Sequence, residues 1–512
     1  MDAVPDDADA LPDLVTHAHD THVIVIGGGI GGLVAALECA KVGMPVTLVE
    51  SAPELGGTVR TAEVDGLRVD AGATAWSAGS AAVRALADEL GLADRIVAPR
   101  TDETWVGGLP KGEAAPLPHD ALLGIPANPW DDSVRRIIGW GGVWRAYLDR
   151  LRPPLTIGKE RNLARLVRTR MGEAVLQRMV APLSRGAYGV DPDDVDVLAA
   201  APGLSSALTR TGSLGAAVAD QLVDRPEGPA VESLDDGLGA LVDALRARLT
   251  DLGAAIRTST RATHIAAEPD GRWRVTIAQT DADTAAPADP AAPADATASA
   301  DARPDDLALA DIVVVATGAD AARGLLAPLV GTALDGIPDR TLRREVVTLV
   351  VDAPALDAAP RGAQVHPVPG TARTSGVVHQ TARWERLARA AGAGRHVLSV
   401  AFDGDADTHP TTGLSEAAAA ELARDEAAQL LGVPIEAVRG AHRVAFDLAR
   451  PASALGHAEA AAVARAGIAA RAGLAATGAW LAGSGLAAVV AHARDEAERV
   501  RQAALFGGSA RA

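Results

Sequence analysis

A run of six residues near the start of the chain, Gly27-Gly28-Gly29-Ile30-Gly31-Gly32, has the composition and spacing to bind phosphate groups through its backbone. Gly27 can make the tight turn that follows a strand, and Gly29 leaves room for backbone N–H groups to approach a pyrophosphate at a helix N-terminus. Gly32 lets that helix pack closely on the strand. The run therefore predicts a dinucleotide-binding turn.

The segments around the turn predict the elements that such a site requires. Residues 22–26 predict a strand, residues 33–42 a helix, and residues 45–49 a second strand that ends at Glu50. A carboxylate at the end of the second strand can accept a hydrogen bond from a ribose 2′-hydroxyl, and it repels a 2′-phosphate. These residues thus favour a ligand of the FAD or NAD type over NADP.

The composition excludes several classes of protein. The 512 residues are 48% hydrophobic and 22% charged, which predicts a globular chain with two or three packed domains. The net charge of -18 opposes nucleic-acid binding. Cys39 is the single cysteine, so the chain has neither an internal disulfide nor a thiolate metal cluster, which fits a reducing cytoplasm. Aromatic residues make up only 3%, which counts against a site walled by several Tyr and Phe.

Two segments bear on targeting and membrane insertion. Residues 1–20 are acidic and lack the basic start and apolar core of a signal peptide, so we expect a floppy leader. Residues 472–493 contain no Asp, Glu, Lys or Arg and are long enough to span a bilayer. They are mostly Ala and Gly, however, and Gly478, Gly483 and Gly485 interrupt them. We therefore predict a strand, a turn and the start of a helix, and no transmembrane span.

The pattern of predicted elements indicates an α/β protein in which the chain leaves a Rossmann-like nucleotide-binding domain and returns to it. We expect a leader over 1–20, the first part of that domain over 21–87, a helical Arg-rich domain over 88–210, a second part over 211–330, an inserted mixed substrate domain over 331–440, a closing part over 441–500 and a tail over 501–512. Within the second part, the Ala, Asp and Pro tract at 280–306 cannot build a core, which predicts an exposed insertion in a hairpin.

The helical domain is the densest supply of positive charge, and its arginines have two interpretations. They can form solvated helix faces with acidic partners four residues away. They can also form a basic wall for an anionic substrate, because the guanidinium fork matches a carboxylate. The candidates for such a wall, as a group, are Arg135, Arg136, Arg145, Arg178 and Arg185.

A longer motif begins at Glu50, the acidic residue at the end of the second predicted strand. The run Glu50-Ser51-Ala52-Pro53-Glu54-Leu55-Gly56-Gly57-Thr58-Val59-Arg60-Thr61 resembles the flavin-containing amine oxidase and protoporphyrinogen oxidase superfamily. Residues 64–72, 185–192, 381–384, 456–459 and 478–494 are similar, in the same order, to the oxygen-dependent porphyrinogen oxidases, particularly the bacterial coproporphyrinogen III oxidase branch. The resemblance covers roughly residues 21–500 and favours FAD over NAD.

The resemblance implies a set of FAD contacts. Ala262 corresponds to a backbone contact to the adenine, Phe446 to a position beside the flavin where relatives commonly have Trp, and the turn at Ser484 to a helix N-terminus aimed at the flavin. The full set is Gly27, Gly28, Gly29, Ile30, Gly31, Gly32, Glu50, Ser51, Gly57, Thr58, Arg60, Gly72, Ala73, Thr74, Ala75, Ala262, Phe446, Ser484, Gly485 and Leu486.

The chain departs from the resembled family on the substrate side. Relatives usually have basic residues soon after the Gly72 loop, where this chain has residues 76–80, Trp-Ser-Ala-Gly-Ser. Before Gly456 they often have Gln-Tyr, and here Ala452-Ser453 stands instead. Arg185 and Tyr188 remain the substrate-side residues of the matched run 185–192. His457 has the residue type of a general base, but we interpret it as a structural histidine and name no catalytic base.

What the resemblance implies is an FAD oxidase that converts coproporphyrinogen III to coproporphyrin III in haem biosynthesis, with O₂ as acceptor. Each of three cycles would transfer a hydride to the flavin. Three alternatives stay open: a protoporphyrinogen IX oxidase, a flavin amine oxidase, and a catalytically silent FAD-binding protein that passes a tetrapyrrole to a partner. The cationic wall favours the tetra-anionic substrate.

Overall fold

The computed structural model describes residues 7–152, 160–223, 228–280, 306–338, 342–405 and 409–506. The α-helices, α1 to α18 in chain order, are Asp7–Asp20, Ile30–Ala40, Ala81–Glu89, Asp132–Tyr147, Leu163–Arg170, Glu173–Val175, Ala181–Tyr188, Val197–Ala200, Leu204–Thr211, Leu214–Val223, Gly239–Asp251, Ala319–Val330, Gln380–Arg383, Glu385–Ala391, Glu416–Leu431, His457–Ala469, Ala479–Ala482 and Leu486–Phe506. The strands, β1 to β22, are Val23–Ile26, Val46–Val49, Thr61–Val64, Leu67–Asp70, Trp76–Ser77, Ile96–Val97, Thr104–Leu109, Glu113–Pro116, Ala121–Leu122, Ile125–Pro126, Val231–Leu234, Ala255–Arg257, Thr260–Ala267, Trp273–Gln279, Asp306–Ala310, Ile312–Val315, Leu342–Asp352, Gln364–Pro367, Gly376–His379, Arg395–Gly404, Ala437–Leu448 and Leu474–Ala476.

A five-stranded parallel sheet, in the order β12-β2-β1-β16-β22, forms the centre of the nucleotide-binding part. Its strands come from distant parts of the chain, so the predicted departure and return are confirmed. One face packs against α2, α11 and α18. The other face packs against α12, α16 and the small sheet β13-β14-β15. The central strands β1 and β16 are therefore buried on both faces, as a parallel sheet requires.

A second sheet has seven strands in the order β21-β17-β20-β19-β18-β7-β8. One of its faces is covered by α15, whose buried residues include Ala423 and Leu430. Near the end of the long strand β21, Phe446 pairs with Arg344 of β17. Because paired residues on antiparallel strands point to the same face, Phe446 and Arg344 are side-by-side neighbours on this sheet.

Several predicted boundaries differ from the structure. Residues 88–210 are largely helical only from Asp132 onward, since β6 to β10 precede that residue. Strand β7 was missed because it pairs with β18, more than 250 residues later in the chain, and β9 and β10 are a two-residue pair too short to show a pattern. The predicted strand at 231–234 exists, but it belongs to a small sheet with β5 and β6. Strand β21 also runs through the boundary that we placed at residue 440.

The predicted floppy leader is wrong from Asp7 onward, because Asp7–Asp20 forms helix α1. Tertiary contacts stabilise it: Ala18 is buried, and His17 Nε2 lies 3.0 Å from the Ala504 carbonyl oxygen of α18. Local propensity alone does not reveal a helix that depends on such packing.

The alanine-rich segment at 472–493 consists of β22, α17 and the start of α18, as its glycines predicted. In the portion of the chain that the structure describes, no helix is long and apolar enough to cross a membrane. The predicted insertion at 280–306 lies outside the described residues except at its ends. The flanking strands β14 and β15 are antiparallel neighbours, which agrees with an insertion within a hairpin.

Candidate functional site: a dinucleotide cradle and its neighbouring cavities

The glycine turn between β1 and α2 places strand and helix in direct contact. Gly27 has a φ of +109°, and a Cβ atom there would lie 2.6 Å from the Ala316 carbonyl oxygen. A Cβ atom on Gly32 would lie 1.9 Å from the Gly27 carbonyl oxygen. Neither position tolerates a side chain, so both glycines have the structural roles that the sequence predicts.

The start of α2 is open on the side where a ligand would approach. Gly29 precedes the helix with no side chain capping it, and a Cβ atom on Gly29 would meet only Gly57 Cα, at 3.9 Å. Gly28 faces Glu50 and Leu55, while Ile30 is buried. The first backbone N–H groups of the helix are thus available to an anion, and the helix dipole favours negative charge there.

The carboxylate of Glu50 lies beside the glycine turn, at the end of β2. One oxygen accepts a hydrogen bond from Gly28 N at 2.6 Å, and the other accepts one from Ala52 N at 2.7 Å. The Ser51 hydroxyl also donates to it, at 3.2 Å. Strand β13 is attached here, since Thr260 N donates to the Glu50 carbonyl oxygen at 2.8 Å. Ala262 follows two residues later, close to the same strand end.

The second glycine pair approaches the first turn. Gly57 has a φ of +62°, and a Cβ atom there would lie 3.2 Å from Gly29 Cα. The Thr58 and Arg60 carbonyl oxygens accept hydrogen bonds from Ala73 N at 2.9 Å and Ala71 N at 2.8 Å. The buried Nε of Arg60 has no hydrogen-bond partner among the described residues. An orphaned donor of this kind is what a site for an anionic or carbonyl-bearing ligand would leave.

The loop from Gly72 to Ala75 lies between this segment and the second sheet. A Cβ atom on Gly72 would lie 2.1 Å from the Thr58 carbonyl oxygen and 2.9 Å from Phe446 Cζ. Ala73, Thr74 and Ala75 are half-buried. The structure thus brings Phe446 against the loop, although 374 positions separate Phe446 from Gly72 in the sequence.

We call residues 27–32, Glu50, residues 56–60 and residues 72–75 the dinucleotide cradle. The closing turn at residues 483–485 brings a second helix start to this cradle. Ser484 and Gly485 are exposed, and α18 begins at Leu486. A Cβ atom on Gly31 would lie 3.1 Å from Val489 Cγ1, so the first turns of α2 and α18 pack side by side. The start of α18, the acidic strand end at Glu50 and the second glycine pair are therefore all neighbours of the glycine turn at the start of α2.

The predicted substrate residues Arg185 and Tyr188 line different cavities. Arg185 forms an ion pair with Asp191 and lines a cavity of about 360 Å³ between α7 and the loop after β18. Tyr188 lines a smaller cavity of about 170 Å³ together with Ser453. Val190 lines both cavities, so they are adjacent.

The predicted basic wall is not one surface. Arg135 pairs with Asp132 and stacks on Trp140, and Arg178 donates to the Ile137 carbonyl oxygen. Arg145 donates to three backbone carbonyls at the end of α5, those of Arg168, Thr169 and Arg170. Arg136 is exposed on α4. These arginines stabilise helix ends and neighbouring side chains, and of the five candidates Arg185 is the one that lines a cavity described above.

The departures on the substrate side have structural explanations. Trp76 is buried in the core beside α2, and Ser80 caps the N-terminus of α3. Ala452 packs against the closing turn, where a Cβ atom on Gly483 would lie 2.4 Å from Ala452 Cβ. His457 is buried at the start of α16, and burial lowers its pKa, as expected of a structural histidine.

Sequence reasoning missed Arg373, which lines the same cavity as Arg185. It lies in a loop between β18 and β19, far in sequence from α7. No motif or periodicity distinguishes this arginine from the many others in the chain. Only the packing of the loop against α7 and the end of β20 brings it to the cavity.

The fold and the cradle together define an α/β protein of the dinucleotide-binding type, with a glycine turn at the N-terminus of α2 and an acidic residue at the end of β2. The chain belongs to the flavin containing amine oxidoreductase family, whose model matches residues 30–501. A flavin cofactor is therefore expected of it, and the residues of the cradle fit such a group.

Two curated relatives and one solved structure are similar to this chain in sequence or in fold. The chain is 32% identical over 257 residues to a coproporphyrinogen III oxidase of Mycobacterium tuberculosis, covering 49% of this chain and 56% of that protein. It is 24% identical over 280 residues to protoporphyrinogen oxidase 1 of Arabidopsis thaliana, covering 51% and 50%. These matches span about half the length of the curated relatives. A crystal structure of a candidate protoporphyrinogen oxidase from Exiguobacterium sp. 255-15 shares the fold, with a TM-score of 0.76 and 22% identity over 94% of this chain and 98% of that one.

Proposed function

We propose that the protein binds FAD and oxidises coproporphyrinogen III to coproporphyrin III, with O₂ as electron acceptor. The family supports the flavin, and the curated relatives support a porphyrinogen substrate. The observation that carries the choice of substrate is the arginine-bearing cavity next to the cradle, because a substrate with four propionates needs cationic partners in a chain of net charge -18.

In this proposal the predicted contact set holds the cofactor. The N–H groups at the start of α2 bind the pyrophosphate, Glu50 accepts from a ribose hydroxyl, and Ala262 contributes a backbone contact to the adenine. The start of α18 would present its positive dipole end to the flavin ring. When bound, the flavin would supply the redox chemistry, as the acceptor of hydride from the porphyrinogen and the donor of two electrons to O₂.

The remaining work of the chain is to position the substrate and exclude water. Phe446 packs against the Gly72 loop and covers one side of the cradle. Arg185, with Tyr188 in the adjoining cavity, contacts the macrocycle edge. One proton leaves the substrate with each hydride and passes to bulk solvent, so we assign no side chain as a catalytic base.

The attachment of FAD is proposed to be noncovalent. Cys39 is buried in α2, and burial raises the pKa of its thiol to about 12. A neutral, enclosed thiol is a poor nucleophile. Heat denaturation should release free flavin into the supernatant, whereas flavin that remains with the precipitated protein would contradict this part of the proposal.

Oxygen uptake with three substrates tests the proposal against its alternatives. We expect purified, FAD-loaded protein to consume O₂ and form fluorescent porphyrin with coproporphyrinogen III, faster than with protoporphyrinogen IX. Preference for protoporphyrinogen would reassign the substrate, and uptake with a polyamine alone would indicate an amine oxidase. Bound FAD without uptake on any of the three would favour the silent tetrapyrrole-binding protein.

A further inference from the structure

The cavity lined by Arg185 also contains a second arginine that the proposed contact set does not use. It lies between α7, the loop at residues 367–375 and the end of β20. Its charged lining residues are Arg185, Asp191, Arg373 and Asp403. The state of these four side chains decides what the cavity can bind.

Both acids of the cavity already have cationic partners. The two oxygens of Asp403 accept from Nε and Nη2 of Arg344, each at 2.6 Å. Asp191 pairs with Arg185 and also accepts from Asp193 N at 3.0 Å. Of the three arginines around the cavity, Arg185 and Arg344 thus pair with its two aspartates, which leaves one positive charge that forms no ion pair with the described residues.

Arg373 carries that charge. It forms no ion pair with a carboxylate of the described residues, and the hydrogen bond its guanidinium makes there is from Nη2 to the Pro410 carbonyl oxygen, at 2.8 Å. A guanidinium has five N–H donors in a planar fork. Most of the fork is therefore available to a ligand in the cavity.

The backbone of Arg373 is held in place by a buried carboxylate. Glu426 of α15 is 8% exposed and accepts from Arg373 N at 3.0 Å and Thr374 N at 3.4 Å. The Thr374 hydroxyl is buried and donates to the Ala401 carbonyl oxygen at 2.6 Å. The loop that presents Arg373 is thus fixed before any ligand arrives, which lowers the entropy cost of binding.

The cavity lies next to the dinucleotide cradle. Arg344 Nη2 donates to the Gly186 carbonyl oxygen of α7 at 3.1 Å, and Arg344 is the cross-strand neighbour of Phe446. Phe446 in turn contacts the position of Gly72. One cross-strand pair therefore separates the cavity wall from the loop that is proposed to contact the flavin.

From this arrangement we infer that Arg373, together with Arg185, forms a carboxylate-binding subsite that takes a propionate side chain of the tetrapyrrole. The inference rests on the proposed function for the identity of the ligand. Arg373 is the principal binding group because its guanidinium forms no ion pair with the described residues, while Arg185 must share its guanidinium with Asp191.

Titration with coproporphyrin III, which is fluorescent and carries four propionates, tests the subsite directly on FAD-loaded protein. We expect Arg373→Gln to weaken binding about tenfold, the effect of losing one charge-assisted hydrogen bond. Arg373→Lys should recover part of the affinity because it keeps the charge. The matched control is Arg246→Gln, which removes an exposed arginine of α11 and should bind like the wild type.

Steady-state kinetics give a second measurement. For Arg373→Gln we expect KM for coproporphyrinogen III to rise about tenfold while kcat stays within about twofold, since the subsite binds the substrate edge and not the reacting carbon. An unchanged dissociation constant and KM in a variant with wild-type thermal stability would overturn the subsite. Wild-type protein that binds coproporphyrin III with the predicted dependence on Arg373 but oxidises no porphyrinogen would overturn the proposed function and leave the subsite standing.

Discussion

Gly29 tests, at the scale of one residue, whether the open start of α2 is a cofactor site. Its φ of -69° suits any residue, and a Cβ atom there would meet no atom closer than 3.9 Å. Gly29→Val should therefore fold normally but lose flavin, because its side chain occupies the path of the pyrophosphate. Absorbance at flavin wavelengths against protein concentration measures the loading, and thermal unfolding measures the fold.

A valine on an open glycine elsewhere provides the control. Gly324 is exposed on α12, and a Cβ atom there would meet nothing within 4 Å. Gly324→Val should keep wild-type flavin content. A Gly29→Val protein that retains full flavin would show that the cofactor does not pass the start of α2.

His366 predicts a pH dependence of stability. It is 3% exposed against α7, and burial lowers its pKa from 6.5 to about 4. Below pH 6.5 the unfolded chain binds a proton at this imidazole, whereas the folded protein keeps the imidazole neutral. The free energy of unfolding therefore falls as the pH falls toward 4, by up to about 3 kcal/mol. Urea unfolding at pH 7 and pH 4.5 should show a smaller loss for His366→Gln than for the wild type.

The comparison needs a second histidine variant. His264 is exposed on β13, so His264→Gln should lose as much stability on acidification as the wild type does. Equal losses for His366→Gln and the wild type would mean that the buried imidazole is not what makes the fold sensitive to acid.

At the residue scale, the sequence predicted those features that are encoded locally. Gly27, Gly32 and Glu50 lie within one short segment, where spacing and residue type carry the geometry. Arg373 was beyond prediction because three segments far apart in the chain create its environment. Four of the five arginines chosen for a wall lie away from the cavity for a related reason: a guanidinium is satisfied equally well by a helix end, an aromatic ring or an acid, and sequence does not distinguish these partners.

At the scale of elements, a buried ion pair holds the helical region together. Arg170 of α5 and Asp149 are 4% and 1% exposed, and they pair with each other while Asp149 also accepts from Leu214 N of α10. Arg170→Met should lower the free energy of unfolding by about 3–5 kcal/mol, because it leaves a buried carboxylate without its cation. Urea denaturation measures the change.

Two residues earlier, Arg168 pairs with Glu173 at the surface, 2.9 Å apart. Arg168→Met is the matched control and should cost less than about 1 kcal/mol. Similar losses in the two variants would show that Arg170 contributes no more than an exposed arginine.

Elements with strong internal patterns were predicted well. The helices at 239–251 and 416–431 and the buried strand at 312–315 appear where apolar spacing placed them. Helix α1 and strands β6 and β7 were missed, since their partners lie far along the chain, such as Ala504 for α1 and β18 for β7. Long-range pairing determines such elements more than local propensity does.

At the scale of the whole molecule, the hairpin insertion should be dispensable. Strands β14 and β15 pair from Trp273 opposite Ala310 to Ile277 opposite Asp306, so their sheet does not require the chain between them. Replacing residues 281–305 with Asn-Gly should leave flavin content and oxidase rate unchanged, and closing the shorter loop costs less entropy. A replacement that loses flavin or melts at a clearly lower temperature would show that the tract packs on the rest of the protein.

The overall architecture could be predicted because residues 22–50, 311–318 and 472–493 each showed an apolar strand next to a glycine turn, and because the resemblance spans residues 21–500. The strands of these segments lie in one parallel sheet. No such pattern in the sequence indicates the strand order of the seven-stranded sheet. The position of the cavity beside the cradle depends on that order, so it could not be predicted.

The central claim is that a bound flavin takes electrons from coproporphyrinogen III. Anaerobic mixing of FAD-loaded protein with this substrate measures that step without oxygen. We predict that the oxidised-flavin absorbance bleaches, that porphyrin absorbance appears in proportion to the flavin reduced, and that admitting air restores the flavin spectrum. A flavin spectrum that stays oxidised in the presence of excess coproporphyrinogen III would contradict the account.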